Sequence, residues 1–209
     1  MARRVDLGAL TTVARELLAR PGRQVMAIAG APGAGKSTLV ERLAASLPAE
    51  SVAILPMDGF HFDDRLLEAM GRRPWKGAPD TFDVGGLRSA LKRLRDPDEG
   101  AVVVPVFDRD LEISRGSARI IAPDMRLILA EGNYLLLDQA PWNGLRDLFD
   151  VTVMIEVPEP ELKRRLRERW IGYNLTPEQI DFKLEQNDLP NGRQVIQASA
   201  TPDLVLGQD

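Results

Sequence analysis

The segment Gly30-Ala31-Pro32-Gly33-Ala34-Gly35-Lys36-Ser37-Thr38 constrains this chain more than any other. It satisfies G-x-x-x-x-G-K-[ST] at every fixed position. Its flanks are those the pattern demands: an apolar run at 24–29 before it and a helical pattern at 36–47 after it. The glycines let the backbone curl so that successive N–H groups converge on phosphate, and the helix behind them adds its positive N-terminal end. Lys36 then reaches the β/γ oxygens and the Ser37 hydroxyl is placed to ligate Mg²⁺. All nine residues are candidates for holding a nucleoside triphosphate. The bland alternative, a Gly-rich turn that happens to precede a lysine, does not account for the strand and helix on either side.

Around this loop, short β-branched runs alternate with longer helical ones. Strands are expected at 24–29, 52–57, 102–107, 126–130, 151–157 and 204–206. They are nearly all apolar, as in strands covered on both faces of a parallel sheet. Helices are expected at 7–18, 36–47, 84–95, 142–149, 160–170 and 177–187, the last with Pro177 at its first position behind the cap Thr176. Strand and helix in series predict an α/β chain: a three-layer P-loop sandwich with a parallel sheet of about five strands, in a single domain spanning 1–209. Two stretches break the rhythm. A polar excursion at about 60–83 contains Trp75, and about 108–123 reads as a hairpin with Gly116 near its turn. Insertions at strand ends are where α/β proteins place substrate contacts.

Composition removes several function classes. Lys and Arg number 27 against 31 Asp and Glu, a net charge of −4 that suits no sequence-independent nucleic-acid binder. There is no cysteine, hence no disulfide, thiol nucleophile or Cys-bound zinc. No apolar run approaches the roughly 18 residues of a membrane span, and no apolar segment follows Arg3 and Arg4 as a secretory signal would require. A cytoplasmic chain without membrane insertion is the expectation. A homodimer is neither argued for nor against.

Triphosphate binding alone does not say what is done with the nucleotide. A signalling GTPase carries an Asn-Lys-x-Asp base-reading motif, and no Asn-Lys pair occurs here. Motor-type ATPases end a strand in Asp-Glu, whereas this one ends Leu129-Ala130-Glu131-Gly132, and the Ser-Gly-Gly signature of transporter ATPases is absent. Small-molecule kinases are left. The second strand runs out through Leu55, Pro56 and Met57 into Asp58. A carboxylate there could orient an acceptor hydroxyl toward the γ-phosphate and take its proton. It could also merely cap the next turn.

Five segments in order resemble the uridine kinase, phosphoribulokinase and pantothenate kinase group of P-loop kinases, over most of the chain from Ala27 to about Arg193. They are the phosphate loop, Met57-Asp58-Gly59-Phe60-His61, Gly77-Ala78-Pro79-Asp80-Thr81-Phe82-Asp83, Pro105-Val106-Phe107-Asp108-Arg109 and Glu131-Gly132-Asn133-Tyr134-Leu135-Leu136. The chain is most similar to bacterial uridine kinase-like proteins, some of them labelled kinases of fructose transport systems. The resemblance implies that Asp58 is the catalytic base and that Glu131 holds Mg²⁺ through water. It implies that Phe82 and Asp83 lie near the acceptor, and Phe107 and Arg109 beside it. Phe82 and Phe107 could equally be core, and Arg109 could pair only with Asp108. His61, the one histidine, could bind a substrate hydroxyl or be a satisfied structural imidazole. Uridine kinases usually carry a Phe-Tyr pair after the aspartate, which this chain lacks, so a nucleoside acceptor is not implied.

Lys163, Arg164, Arg165, Arg167 and Arg169 crowd one predicted helix. Their default reading is a solvated basic face paired to nearby glutamates. The resemblance implies instead a helical lid, at about 160–175, whose arginines close over the triphosphate. Arg165 and Arg169, four apart, share one face and are the candidates for stabilising the transferred group, with Trp170 and Tyr173 behind them as core. The stretch from Asn187 to Arg193 resembles the group's late loop near the adenine, although Asn and Gly also build plain turns.

The expectation is an ATP- and Mg²⁺-dependent kinase acting on a hydroxyl of a small metabolite: a sugar, a nucleoside or a pantothenate-like vitamin. A nucleotide-binding regulator or slow NTPase allied to a transport system is one alternative, and a shikimate- or gluconate-kinase type is another. A phosphorylated acceptor would want Arg72, Arg73, Lys76, Arg109 or Arg115. A neutral one would want Asp63, Asp64, Asp80 or Asp83.

Overall fold

The computed structural model describes residues 2–96 and 98–207. Met1, Pro97, Gln208 and Asp209, at the edges of the 1–209 reading or within it, lie outside the described residues. The strands are β1 (Arg3–Val5), β2 (Gln24–Gly30), β3 (Val52–Pro56), β4 (Val102–Asp108), β5 (Ile113–Ile121), β6 (Leu127–Gly132), β7 (Val151–Glu156) and β8 (Leu204–Gly207). The α-helices are α1 (Leu7–Ala19), α2 (Lys36–Ala45), α3 (Asp64–Ala69), α4 (Val84–Arg95), α5 (Glu159–Gly172), α6 (Pro177–Lys183) and α7 (Leu189–Ala198). Six strands form one parallel sheet in the order β1-β8-β7-β2-β6-β3, which confirms the α/β fold.

Period-two alternation divides the core between the two faces of this sheet. On β2, Val25, Ala27 and Ala29 face a cluster with α4 and the segment after β6, while Met26 and Ile28 face α1 and α2. On β6, Ile128 and Ala130 join the first cluster and Leu127 and Leu129 the second. Side-chain caps fix the helix starts: Asp6 for α1, Asp63 for α3, Asp83 for α4, and a capping box of Thr176 and Gln179 for α6.

The structure departs from the sequence reading in four ways. It has six strands rather than about five, because Arg3–Val5 adds an edge strand beside β8. Three residues are too few to show a period. The run at 102–107 is no part of it: β4 pairs only with β5, antiparallel. Pro105, which cannot donate to a ladder, sits where the β4–β5 register shifts, and Val103 is exposed. The hairpin turns at residues 109–112, and Gly116 lies opposite that shift instead of at the turn. The expected helix at 142–149 is a run of 3₁₀ turns, Trp142–Leu148.

All phosphate-facing elements share the carboxyl edge of the sheet. β2 delivers the phosphate loop, β3 delivers Asp58, β6 delivers Glu131, and the hairpin closes against β3. Gly59 makes that approach possible, since a Cβ there would stand 2.4 Å from the Pro105 carbonyl oxygen.

Candidate active site

The phosphate loop carries the backbone its glycines permit. Gly33 and Gly35 have φ of 80° and 81°, the left-handed region that side chains disfavour. The Lys36 ammonium lies 3.1 Å from both the Gly30 and Ala31 carbonyl oxygens and 2.5 Å from Asn133 Oδ1. Its three donors are thereby used. Burial lowers its pKa, partly offset by Glu131 and Asp58. The Ser37 hydroxyl donates to Glu131 Oε1 at 3.2 Å. Burial, with Asp58 nearby, raises the Glu131 pKa. A hydroxyl and a carboxylate converging beside a phosphate cradle suit Mg²⁺, a hard cation that takes one or two protein oxygens and completes its shell with phosphates and water.

Asp58 sits in a short 3₁₀ turn, Met57–Phe60, at the end of β3. Its carboxylate accepts from Arg109 Nη2 at 2.6 Å. Burial works against its charge, yet His61, Arg109 and Lys36 outweigh burial and hold the pKa below the ordinary carboxylate range. Arg109 therefore pairs with Asp58, not with Asp108, which is met by Arg115 at 3.3 Å. His61 Nδ1 is 2.8 Å from the Asp58 carbonyl oxygen. A carbonyl only accepts, so Nδ1 carries the proton and Nε2 is left as an acceptor. Burial lowers the His61 pKa, against the pull of the Asp58 charge. The ring lies 4.0 Å from Phe82 and 4.7 Å from Phe107 between centroids.

A cleft of about 400 Å³ joins these parts. Among its walls are Lys36, Ser37, Thr38, Asp58, Glu131 and His61, together with Phe82, Phe107, Arg109, Arg165, Arg169 and Asn187. Phe82 is both wall and core, 4% exposed and edge-on to Tyr134 and Trp142. Asp83 is a correction. It is exposed, absent from the cleft, and spent on capping α4 through Gly86 N–H at 2.8 Å.

The basic run on α5 divides in two. Arg164 holds Glu161 and Glu168, Lys163 holds Glu185 and Arg167 holds Asp181, which is the solvated-face arrangement. Arg165 and Arg169 line the cleft. Arg165 is braced by Glu161 at 2.7 Å, and Arg169 lies 5.2 Å over the Trp170 ring. Trp170 lines the cleft as well and donates to Asp188 at 2.7 Å, while Tyr173 is exposed, so neither is simple core.

The stretch after residue 183 is not a loop. A π-helical turn, Leu184–Asp188, carries α6 directly into α7. It buries Asn187, which donates to the Lys76 carbonyl at 3.0 Å and accepts from Asn191 at 2.9 Å. Arg193 is a second correction: it forms a bidentate pair with Glu159 and is absent from the cleft. Its spacing from Asn187 in a continuous helix turns it to another side.

Several wall residues carried no signal of their own. Asn133 and Asp188 lay inside quoted segments without a role of their own, and Lys183 fell in an expected helix with nothing to mark it. Only folding brings them opposite the phosphate loop.

Comparison with known proteins fits this geometry. The family model for the methylmalonyl-CoA mutase-associated GTPase MeaB matches residues 6–60, a quarter of the chain around the phosphate loop. The uncharacterized protein YggC of Escherichia coli is 36% identical over 189 residues, covering 88% of this chain and 77% of that one. A protein named "Putative uridine kinase" from Schizosaccharomyces pombe is 32% identical, covering 92% and 86%. A crystal structure titled "putative fructose transport system kinase", from Silicibacter sp. TM1040, superposes with a TM-score of 0.89 at 40% identity, covering 96% of this chain and 98% of that one. With Asp58, Glu131 and the phosphate loop brought to one cleft on this fold, the chain belongs to the uridine kinase, phosphoribulokinase and pantothenate kinase family of P-loop kinases.

Proposed function

We propose that this protein is a single-domain ATP-dependent kinase that transfers the γ-phosphoryl group to a hydroxyl of a small metabolite. The observation that carries the reading is the Asp58 carboxylate, which shares a cleft with Lys36, Ser37 and Glu131 and is held ionised. A regulator that only senses nucleotide needs no such group beside the γ-phosphate.

In this reading the backbone of 30–35 cradles the β-phosphate, and Lys36 leaves its carbonyl partners for the β/γ oxygens. Ser37, and Glu131 through water, would hold Mg²⁺, which would supply charge neutralisation at the phosphates. Asp58 orients the acceptor hydroxyl in line and takes its proton late, because the transition state is loose and the attacking oxygen carries little charge. His61 Nε2 accepts from a second hydroxyl. Arg165 and Arg169 close from α5 over the transferred group, their planar forks matching phosphoryl oxygens. Closure excludes water that would otherwise hydrolyse the nucleotide.

The test is a screen of purified protein with Mg·ATP against sugars, nucleosides and vitamins, with phosphorylated product read by mass. Transfer by the natural chain and its loss in Lys36→Ala supports the reading. Hydrolysis without transfer to any acceptor replaces it with the slow NTPase.

A further inference from the structure

The two acceptor chemistries left open by the sequence are separated by the folded cleft. Of the basic candidates, Arg73, Lys76 and Arg109 line it; of Asp63, Asp64, Asp80 and Asp83, none does. Asp63 and Asp83 cap helices, and Asp80 holds Arg72. Asp64 stands behind the wall and ties down Lys76 at 2.6 Å and Arg73 at 2.7 Å.

We infer that the acceptor carries an anionic group, a phosphate or a carboxylate, which seats on Lys76, Arg73 and Lys183 while its hydroxyl meets Asp58. The inference rests on the kinase reading above and names the acceptor class for that same cleft.

Lys76 is the anchor. Its side chain is only 6% exposed, yet it forms part of the cleft wall. Two of its three ammonium donors go to Asp64 Oδ1 and to the Glu112 carbonyl at 2.5 Å. One donor is left for the cavity. The buried ammonium is paired with Asp64 and can still take one further acceptor from the cavity. Lys183 makes no hydrogen bond or ion pair among the described residues and lies 5.3 Å over the Trp170 ring. Burial lowers its pKa; Asp188 and Glu112 act against that, and Arg73 and Lys76 with it, so Lys183, Arg73 and Lys76 share one end of the cavity with those two carboxylates.

The reach is right for one small molecule. Arg109, on the Asp58 carboxylate, lies 5.9 Å from the Phe107 centroid, and Lys76 Nζ lies 5.2 Å from it. Phe107 thus borders both the partner of the base and the cationic end.

The experiment uses matched acceptors in threes: a polyol or sugar, its phosphate monoester and its sugar acid, each offered with Mg·ATP to the full chain. The expected result is a kcat/KM at least about 100-fold higher for one anionic member than for its neutral partner, and which member responds separates phosphate from carboxylate. Lys183→Met, which breaks no hydrogen bond or ion pair among the described residues, should reduce that preference at least tenfold through KM. Lys76→Met should reduce it further, with melting temperature and Mg·ATP affinity as folding controls. Equal turnover of neutral and anionic members, or an undiminished preference in Lys183→Met, overturns the inference while leaving the kinase reading intact. If no member is phosphorylated, inorganic phosphate and gluconate are titrated into protein saturated with Mg·AMP-PNP. Binding that weakens in Lys183→Met upholds the anion seat independently of transfer, and no binding of either probe overturns it.

Discussion

Asp58→Asn separates a transferring enzyme from a nucleotide sensor. The amide keeps the size and one accepting oxygen for Arg109, which now lies 2.6 Å from the carboxylate, but it cannot take a proton. Losing a positioned base costs on the order of 10²- to 10⁴-fold in kcat, about 3 to 5 kcal/mol of barrier. The structural cost is much smaller. The ion pair it weakens is between side chains 42% and 25% exposed, and a pair so solvated contributes about 0.2–1 kcal/mol. For a chain of this length that is a fall in Tm of no more than about 4 °C. The pH dependence follows from the lowered Asp58 pKa. A carboxylate whose folded pKa is depressed contributes stability that is present above its unfolded value of about 4 and is lost as pH falls through the folded value. The acid limb of kcat/KM should accordingly be set by Glu131, whose pKa is raised, and should persist in the variant, because Asp58 titrates below the ordinary carboxylate range. The assay is kcat across pH on an acceptor found by the screen, beside Mg·ATP titration and thermal unfolding. Retention of more than about a third of kcat would refute the base assignment. A Tm drop of 10 °C or more would refute the solvated-pair argument and make Asp58 a structural residue.

Three further outcomes are expected. Lys36→Ala should abolish turnover and weaken ATP far more than adenosine on calorimetric titration, because Lys36 lies at the phosphate loop alone; equal losses would remove that role. Arg169→Ala should lower kcat at least tenfold while Arg193→Ala changes it less than threefold, since one lines the cleft and the other pairs with Glu159; the reverse order would restore the late-segment reading. Gly59→Ala forces a Cβ to within 2.4 Å of a backbone carbonyl, so the hairpin must shift at a cost of about 1–3 kcal/mol, or roughly 2–12 °C in Tm; an unshifted Tm would show that the hairpin gives way freely.

What the sequence disclosed follows from the range of each signal. The phosphate loop, β2, β3, β6, β7 and most helices were legible because nearest neighbours along the chain determine them: glycine spacing, apolar runs, caps such as Thr176. Asp58 stood out by its place at the end of a buried strand, while its role as base and the role of Glu131 came from the family resemblance. Asp83 misled, since the acid after Phe82 serves the helix that begins beside it, and capping leaves the same trace in sequence as ligand binding. Arg193 misled because a π turn keeps 184–198 helical, where Asn and Gly suggested a loop, and the extra residue in that turn alters which side each later residue presents. The run at 102–107 misled through composition, with Pro105 as its one contrary sign. Lys183 and Asn133 were invisible, as their roles come only from what lies across the cleft.

The order of strands also bears on how this molecule lives among its own copies. An open sheet offers two outer strands, and an outer strand is a template on which another chain can pair. Here one is β1, three residues long, with Arg3 and Arg4 exposed and Arg4 bonded to Glu156. The other is β3, where Arg119 of the hairpin donates to the Ile54 carbonyl at 2.8 Å and Pro56 withholds an N–H. One margin is short and charged and the other is partly engaged by the hairpin, so neither outer strand of the sheet that carries the candidate site offers a long free template for strand addition.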